Sequence, residues 1–316
     1  MKAVVCTRYG PPEVLQIKEI PKPVPKDDGV CIRNFATAAT GSDVLIRGAE
    51  MPLFIKLMFR IMLGFRRPRK PVLGLVFAGE VESIGKDVKR FKAGDQVFGF
   101  TGFSFGAYAE YLTVSENDSK RGCLAVKSPD MSYQEAAAMV YGAVLAPYFI
   151  DKGNVQKGQQ VLIYGASGAL GTTAVQLVKN LGAEVTAVCS TRNIELVKSL
   201  GADRVLDYTE EDFAGNLKQY DFILDAVPNG SIDRKQLKAQ CKQALAEHGK
   251  QISIDDGSPK LNSQNLLQLN TLFETGKFKA VIDRAYPLEQ IVEAHRYVDT
   301  GRKKGNVVIN VIQDET

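Results

Sequence analysis

The sequence predicts an α/β protein in which a doubly wound parallel sheet is joined to a separate β-rich domain. Three observations carry this. Short apolar runs alternate with helix-period segments between residues 160 and 254. The first 125 residues hold six short β signals punctuated by Gly and Pro. Glycines at 165, 168 and 171 stand between an apolar run and a helical pattern.

Taken in order, the β signals of the first domain are Lys2–Cys6, Val14–Glu19, Gly29–Ala36, Ala78–Gly85, Asp95–Gly99 and Ala107–Val114. Their spacing suits an irregular, mostly antiparallel, barrel-like domain. The pattern turns helical from Ser132 and continues through Tyr141 to Ile150. The alternating part then reads strand 161–164, helix 169–181, strand Glu184–Cys189, helix Asn193–Leu200, strand Arg204–Leu206, strand Tyr220–Ala226, helix Arg234–Leu245 and strand Gln251–Ile254. After residue 280 come an amphipathic helix, Glu289–Thr300, and a closing strand, Gly305–Val311. That strand is expected to rejoin the first domain, because a β-rich piece after a complete α/β unit commonly completes the sheet begun at the N-terminus. The domains expected are 1–125, 126–280 and a C-terminal return over 281–316.

The glycine stretch is the chemical signal. Val161-Leu162-Ile163-Tyr164 is followed by Gly165-Ala166-Ser167-Gly168-Ala169-Leu170-Gly171 and then by a helix-period run. Strand, glycine turn and helix N-terminus in succession let the backbone approach a pyrophosphate and offer it free N–H groups. Gly165, Ser167, Gly168, Ala169, Leu170 and Gly171 therefore form a candidate dinucleotide cradle. The spacing GxxGxxG by itself also fits a purely structural turn.

Composition removes several alternatives. With 45% apolar and 24% charged residues the chain reads as soluble and globular, and a net charge of +4 lacks the dense basic patches of a nucleic-acid binder. Five cysteines at scattered positions form no CxxC, so neither a disulfide framework nor a thiolate metal cluster is indicated, and a reducing cytoplasm fits. The first ten residues alternate into a strand and turn, without the apolar core of a secretory signal. No run reaches the ~18 apolar residues of a membrane span. One segment departs from its surroundings: Pro52 to Pro71 is apolar, helix-length and ends in a basic cluster. It reads as an insertion packed over a substrate cleft, with contact at a membrane surface as the alternative.

With these pieces in place the chain resembles the medium-chain dehydrogenase/reductase superfamily, in its zinc-free quinone-oxidoreductase-like branch. The motifs that carry the resemblance are Ala78 to Gly85, Phe91 to Gly99, Gly106 to Tyr111, the glycine stretch, Ser199 to Asp203, Asp207-Tyr208-Thr209 and Gly301 to Ile309, in that order. The resemblance implies an N-terminal GroES-like catalytic domain, an inserted Rossmann domain, a C-terminal return and a homodimer joined through Rossmann sheet edges. Where zinc-dependent relatives carry Cys-Gly-Ser/Thr-Asp, the aligned residues here are Thr40-Gly41-Ser42-Asp43, and Gly-His-Glu is replaced by Gly74-Leu75-Val76. Catalytic zinc takes about three protein ligands and structural zinc four. The chain's two histidines, His248 and His295, read as surface or capping residues, so no metal site is expected.

Cofactor choice turns on the end of the second strand, Cys189-Ser190-Thr191-Arg192, where an NAD-selective site places an Asp or Glu. No acid follows that strand. Ser190 can donate to a phosphate and Arg192 can pair with one, which suits the 2′-phosphate of NADPH. By resemblance Tyr208 stands beside that phosphate, and Ala226, Val227 and Ile254 border the nicotinamide. The implied reaction is hydride transfer from NADPH to a small-molecule quinone or α,β-unsaturated carbonyl, with Thr40, Ser42 and Tyr141 as candidate hydroxyls for the product. Asp43 reads as a helix cap. Two alternatives stand beside this reading: an NADPH-binding redox-sensing or structural protein, and an enoyl-thioester reductase.

Overall fold

The fold is known from a computed structural model, which describes residues 1–48, 57, 60–227 and 235–312. The chain divides into two compact units. The first comprises Met1–Tyr141, Lys260–Thr271 and Ile282–Thr316, and the second comprises Gly142–Pro259 and Leu272–Val281.

The first unit is β-rich. Strands β1 (Lys2–Cys6) and β2 (Leu15–Glu19) pair antiparallel. A second sheet is assembled from β3 (Gly29–Ala39), β4 (Val76–Ile84), β5 (Gln96–Phe100), β6 (Tyr111–Ser115), β7 (Cys123–Val126), β13 (Ile282–Pro287) and β14 (Asn306–Asn310). Its order is β13-β14-β3-β4-β5-β7, with β6 also paired to β3. The eleven-residue β3 can serve two neighbours on one side because β6 takes Gly29–Arg33 while β14 takes Ala36–Ala39. Alternate side chains from these strands, Val30, Ile32, Phe77, Val81, Val97 and Leu124 among them, fill one apolar core with almost no solvent exposure.

The second unit is the parallel sheet. Strands β8 (Gln160–Tyr164), β9 (Glu184–Cys189), β10 (Arg204–Asp207), β11 (Tyr220–Asp225) and β12 (Leu245–Ser253) lie in the order β10-β9-β8-β11-β12. All adjacent pairs are parallel. The order reverses at β8, so the crevice beyond its C-terminal end is a topological switch point, where ligands bind in open α/β sheets.

Seven α-helices of the described residues are named here: α1 (Gly41–Gly48), α2 (Tyr133–Gly153), α3 (Ala169–Asn180), α4 (Ile194–Ser199), α5 (Lys235–Gln243), α6 (Ser263–Glu274) and α7 (Ile291–Asp299). Helix α6 and strands β7 and β13 have no counterpart in the sequence reading, and α1 is signalled there only by Asp43 as a helix cap. Strand β12 begins six residues before the expected Gln251, because parallel pairing to β11 imposes extended backbone on a polar stretch that lacks strand periodicity. Residues 52–56, 58 and 59 of the 52–71 segment lie outside the described residues. Of its described members, Leu57, Ile61, Met62 and Phe65 are exposed. No helix among the described residues is long and apolar enough to cross a membrane. All five cysteines are free and buried.

Candidate active site

The sharp turn between β8 and α3 is dictated by contacts that only glycine tolerates. Gly165 has φ of +80°, and a Cβ there would sit 2.6 Å from Val227 Cγ2. A Cβ at Gly171 would meet the Gly165 carbonyl oxygen at 2.2 Å. Gly168 differs: its nearest neighbour would be 3.5 Å away, so the space it faces is open. Gly168 is also the residue before α3, and no side chain caps that helix. The first amides of α3, from Ala169 onward, point into this open space and suit a pyrophosphate. The residues present therefore fit a dinucleotide.

Beyond the turn, a polar link joins the cradle to the end of β9. Asn193 Nδ2 donates to Ser167 Oγ at 3.0 Å and lies 3.4 Å from Ser190 Oγ. Asn193 is 5% exposed, and its side chain leaves the start of α4 uncapped in order to make this bond. Sequence reading passed over it, since an Asn before a helix reads as a cap. Arg192 is exposed and Tyr208 half-buried, with the Tyr208 amide donating to the Cys189 carbonyl at 3.1 Å. The Cys189 thiol itself is 1% exposed and burial pushes it up to about 11, so this residue offers the site its backbone alone. The Leu170 side chain is likewise turned into the core.

An acid does stand beside the end of β9. Asp207 closes β10 directly opposite Cys189. Its Oδ1 accepts the Thr209 amide at 2.9 Å and the Thr209 hydroxyl at 2.7 Å, and its Oδ2 is buried. Burial works to raise its pKa, but the Thr191 and Thr209 hydroxyls and the Thr209 amide outweigh it and hold the carboxyl below its ordinary value. One oxygen is thus engaged by Thr209 and the other is buried. At the end of β11, the Ala226 amide donates to Tyr164 O, the Ile254 amide donates to Asp225 O and Val227 is buried. Asp225 pairs with Lys238 at 2.8 Å and accepts the Val227 amide at 3.1 Å.

In the first unit the three candidate hydroxyls separate into two roles. Thr40 and Asp43 form a capping box at the start of α1: the Thr40 hydroxyl donates to Asp43 Oδ2 at 2.6 Å, the Thr40 amide donates to the same oxygen at 3.0 Å, and the Asp43 amide donates back to Thr40 Oγ1 at 3.2 Å. Thr40 is thus committed to the fold. Ser42 Oγ and the Tyr141 hydroxyl lie 3.0 Å apart and are partly exposed, as an available donor pair would be.

Behind Asp43 runs a buried polar chain that the sequence did not suggest. His295, expected at the surface, is 0% exposed. The side of α7 that carries it faces inward, beside Ile291, Ala294 and Val298. Arg47, always a donor, gives Nη1–H to His295 Nδ1 at 3.3 Å; Nε2 therefore carries the histidine proton and donates to the Tyr108 hydroxyl at 3.0 Å. Arg47 is held in turn by both Asp299 oxygens, at 2.8 and 3.0 Å. Burial, then the Arg47 charge, lowers His295 to about 3. Burial raises Asp43 to about 6, against the Thr40 donors, the Gly74 amide and the Tyr108 hydroxyl, which favour its carboxylate. The last two act from outside ordinary hydrogen-bond geometry, leaving Oδ1 without a partner. Among the described residues no three His, Cys, Asp or Glu side chains gather as a metal site.

The glycine cradle at the switch point of a parallel sheet, joined to a β-rich unit that the C-terminal strand completes, defines a nicotinamide-dependent oxidoreductase. Residues 26–128 match the family described as alcohol dehydrogenase GroES-like domain, and residues 169–265 and 257–309 match two families described as zinc-binding dehydrogenase. The 2-methylene-furan-3-one reductase of Solanum lycopersicum is 31% identical over 99% of this chain and 79% of its own length. The chloroplastic NADPH-dependent alkenal/one oxidoreductase of Arabidopsis thaliana is 29% identical over 98% and 79%. The quinone oxidoreductase structure from Coxiella burnetii superposes with a TM-score of 0.82 at 26% identity, covering 99% of both chains. The chain belongs to the medium-chain dehydrogenase/reductase superfamily, in its quinone-oxidoreductase-like branch.

Proposed function

We propose that this protein is an NADPH-dependent oxidoreductase that reduces a quinone or an α,β-unsaturated carbonyl without zinc. The observation that carries the reading is the end of β9, where Ser190 and the exposed Arg192 stand while the neighbouring acid, Asp207, is tied to Thr209. A cationic fork whose neighbouring acid is already engaged by Thr209 favours a 2′-phosphate over a ribose hydroxyl. NADPH, when bound, supplies the hydride. Gly165, Gly168 and Gly171 admit its pyrophosphate, and Asn193 holds Ser167 in place beside it. A conjugated acceptor spreads the negative charge that develops on reduction, so the need for a metal electrophile is small. Tyr141 and Ser42 together hold a proton that such a product can accept.

Loss of NADPH absorbance with a benzoquinone, a 2-alkenal and an enone tests the reaction, and calorimetry with NADPH and NADH tests the cofactor. Turnover of one of these acceptors and at least tenfold tighter binding of NADPH are expected. Tight NADPH binding with no turnover would transfer the reading to a redox-sensing or structural role. The proposal includes a cytoplasmic homodimer joined through β12, a sheet edge paired only to β11 among the described residues. A monomer in sedimentation equilibrium would remove that part.

A further inference from the structure

Strand β6 has one edge without a strand partner among the described residues, and that edge lies in a groove. Antiparallel ladders alternate, so a single hydrogen bond fixes which residues face the partner strand. Asn34 N–H donates to Glu110 O at 2.8 Å and Glu116 N–H donates to Asp28 O at 2.9 Å. Both bonds share the register that pairs Leu112 with Ile32 and Val114 with Val30. Leu112 and Val114 therefore turn their backbone groups toward β3. Tyr111, Thr113 and Ser115 turn theirs the other way, and among the described residues β6 has no second strand partner. Among the described residues none of those N–H or C=O groups has a hydrogen-bond partner.

Residues Tyr111 through Ser115 all line a cavity of about 880 Å³. Consecutive lining by a strand whose Leu112 and Val114 side chains are 3% exposed means that the backbone edge forms the wall. Lys26, Lys70 and Arg121 line the same cavity, and none of them forms an ion pair with a described residue. Lys70 is held below its ordinary pKa by burial and then by the Arg121 and Lys26 charges, the mark of cations gathered without a counter-ion. Asp28 is the one carboxylate in the lining, and it already accepts from Ser115 Oγ at 2.7 Å. The lining also includes Phe105, buried and held at φ of +52°, a left-handed conformation that strains a non-glycine residue.

Exposed sheet edges invite further strands, and proteins normally cover or blunt them. A recessed edge with a cationic rim excludes a flat sheet yet admits one strand. We propose that this groove binds an extended acidic peptide segment of a partner protein, which adds to the sheet alongside β6. Backbone bonds to Tyr111, Thr113 and Ser115 give the affinity, and Lys26, Lys70 and Arg121 select for acidic side chains. The five residues of β6 present about 17 Å of edge, enough for a segment of five or six residues.

The probe is an acetylated, amidated hexapeptide alternating aspartate and valine, with amide hydrogen exchange followed by NMR. At saturation, exchange at Tyr111, Thr113 and Ser115 is expected to slow at least tenfold, while Leu112 and Val114, already bonded to β3, stay unchanged. The double variant K70E/R121E is expected to bind the peptide at least tenfold more weakly and to bind NADPH as before. Absence of slowing at millimolar peptide overturns the proposal. So does equal binding of a lysine–valine peptide, or of the same peptide with every amide N-methylated. Protection of these amides without peptide that rises with protein concentration assigns the edge to a second copy instead, and binding of dodecyl phosphate but not of the peptide assigns the groove to an amphiphilic anion.

Discussion

Tyr108 and His295 meet hydroxyl to imidazole at 3.0 Å with both side chains wholly removed from solvent, and their rings cross at 87°. One side of this contact leads to Asp43 at the start of α1, the other to Arg47 and Asp299. The chain thus ties α1, which carries Ser42, to α7 near the C-terminus.

A pH signature follows from that chain. A histidine lowered to about 3 binds fewer protons folded than unfolded, so its contribution to stability is complete above about 6.5 and is lost as pH falls through that window. His295→Gln is expected to be less stable at pH 7 by about 1–3 kcal/mol, for the lost bonds to Tyr108 and Arg47. The gap is expected to shrink as pH falls from 6.5 toward 4. Asp43, raised to about 6, works in the opposite sense: its contribution is complete below about 4 and lost as pH rises through 6. Thermal unfolding of His295→Gln and of Asp43→Asn across pH 4–7 checks the two signs; a His295→Gln deficit that is constant with pH would contradict the first, and an Asp43→Asn difference that is constant with pH the second.

Removal of the Tyr141 hydroxyl should separate chemistry from binding. Tyr141→Phe keeps the ring and deletes the group that lies 3.0 Å from Ser42 Oγ. A fall in kcat of roughly 10²-fold with little change in KM is expected if this pair supplies the proton. Thr40→Ser, which keeps the cap on α1, is expected to leave kcat within about twofold. Steady-state kinetics with the best acceptor decide it.

Asn193→Ala should weaken the cofactor without unfolding the protein. It deletes the donor to Ser167 at the edge of the cradle, and loss of one such bond corresponds to about 1 kcal/mol, or roughly fivefold to tenfold in Kd. NADH and NADPH should be affected alike, since the bond lies at the turn. Arg192→Ala should weaken NADPH by about tenfold or more and leave NADH nearly unchanged. Calorimetry with both cofactors on both variants distinguishes the two positions.

Gly171→Ala should damage the cradle by sterics alone. Its Cβ would stand 2.2 Å from the Gly165 carbonyl oxygen and 2.7 Å from Ala166 Cα, and both are backbone. The turn must open, at roughly 1–3 kcal/mol. Gly168→Ala meets nothing closer than 3.5 Å and should keep the thermal stability of the parent while impeding a bound pyrophosphate. Equal melting temperatures for the two variants would refute the distinction.

The sequence by itself determined the features that depend on local pattern and on neighbours in the chain. Alternating apolar runs and helical periods announced the parallel sheet, and the three glycines announced the turn that a dinucleotide needs, because backbone conformation there is a property of the residues present. Asp43 as a helix cap was legible for the same reason: Thr40 and Asp43 sit three residues apart and bond each other. What only the tertiary structure decided is which distant residues meet. Asp207 reached the end of β9 because β10 pairs beside it, 18 positions further along the chain than Cys189. His295 reached Tyr108 across 187 positions because α7 turns that face inward, and Tyr141 reached Ser42 across 99. Hydrogen-bond partners of buried polar groups are set by packing, which carries no local sequence period, so the glycine turn was visible in the residues and the polar chain behind Ser42 was not.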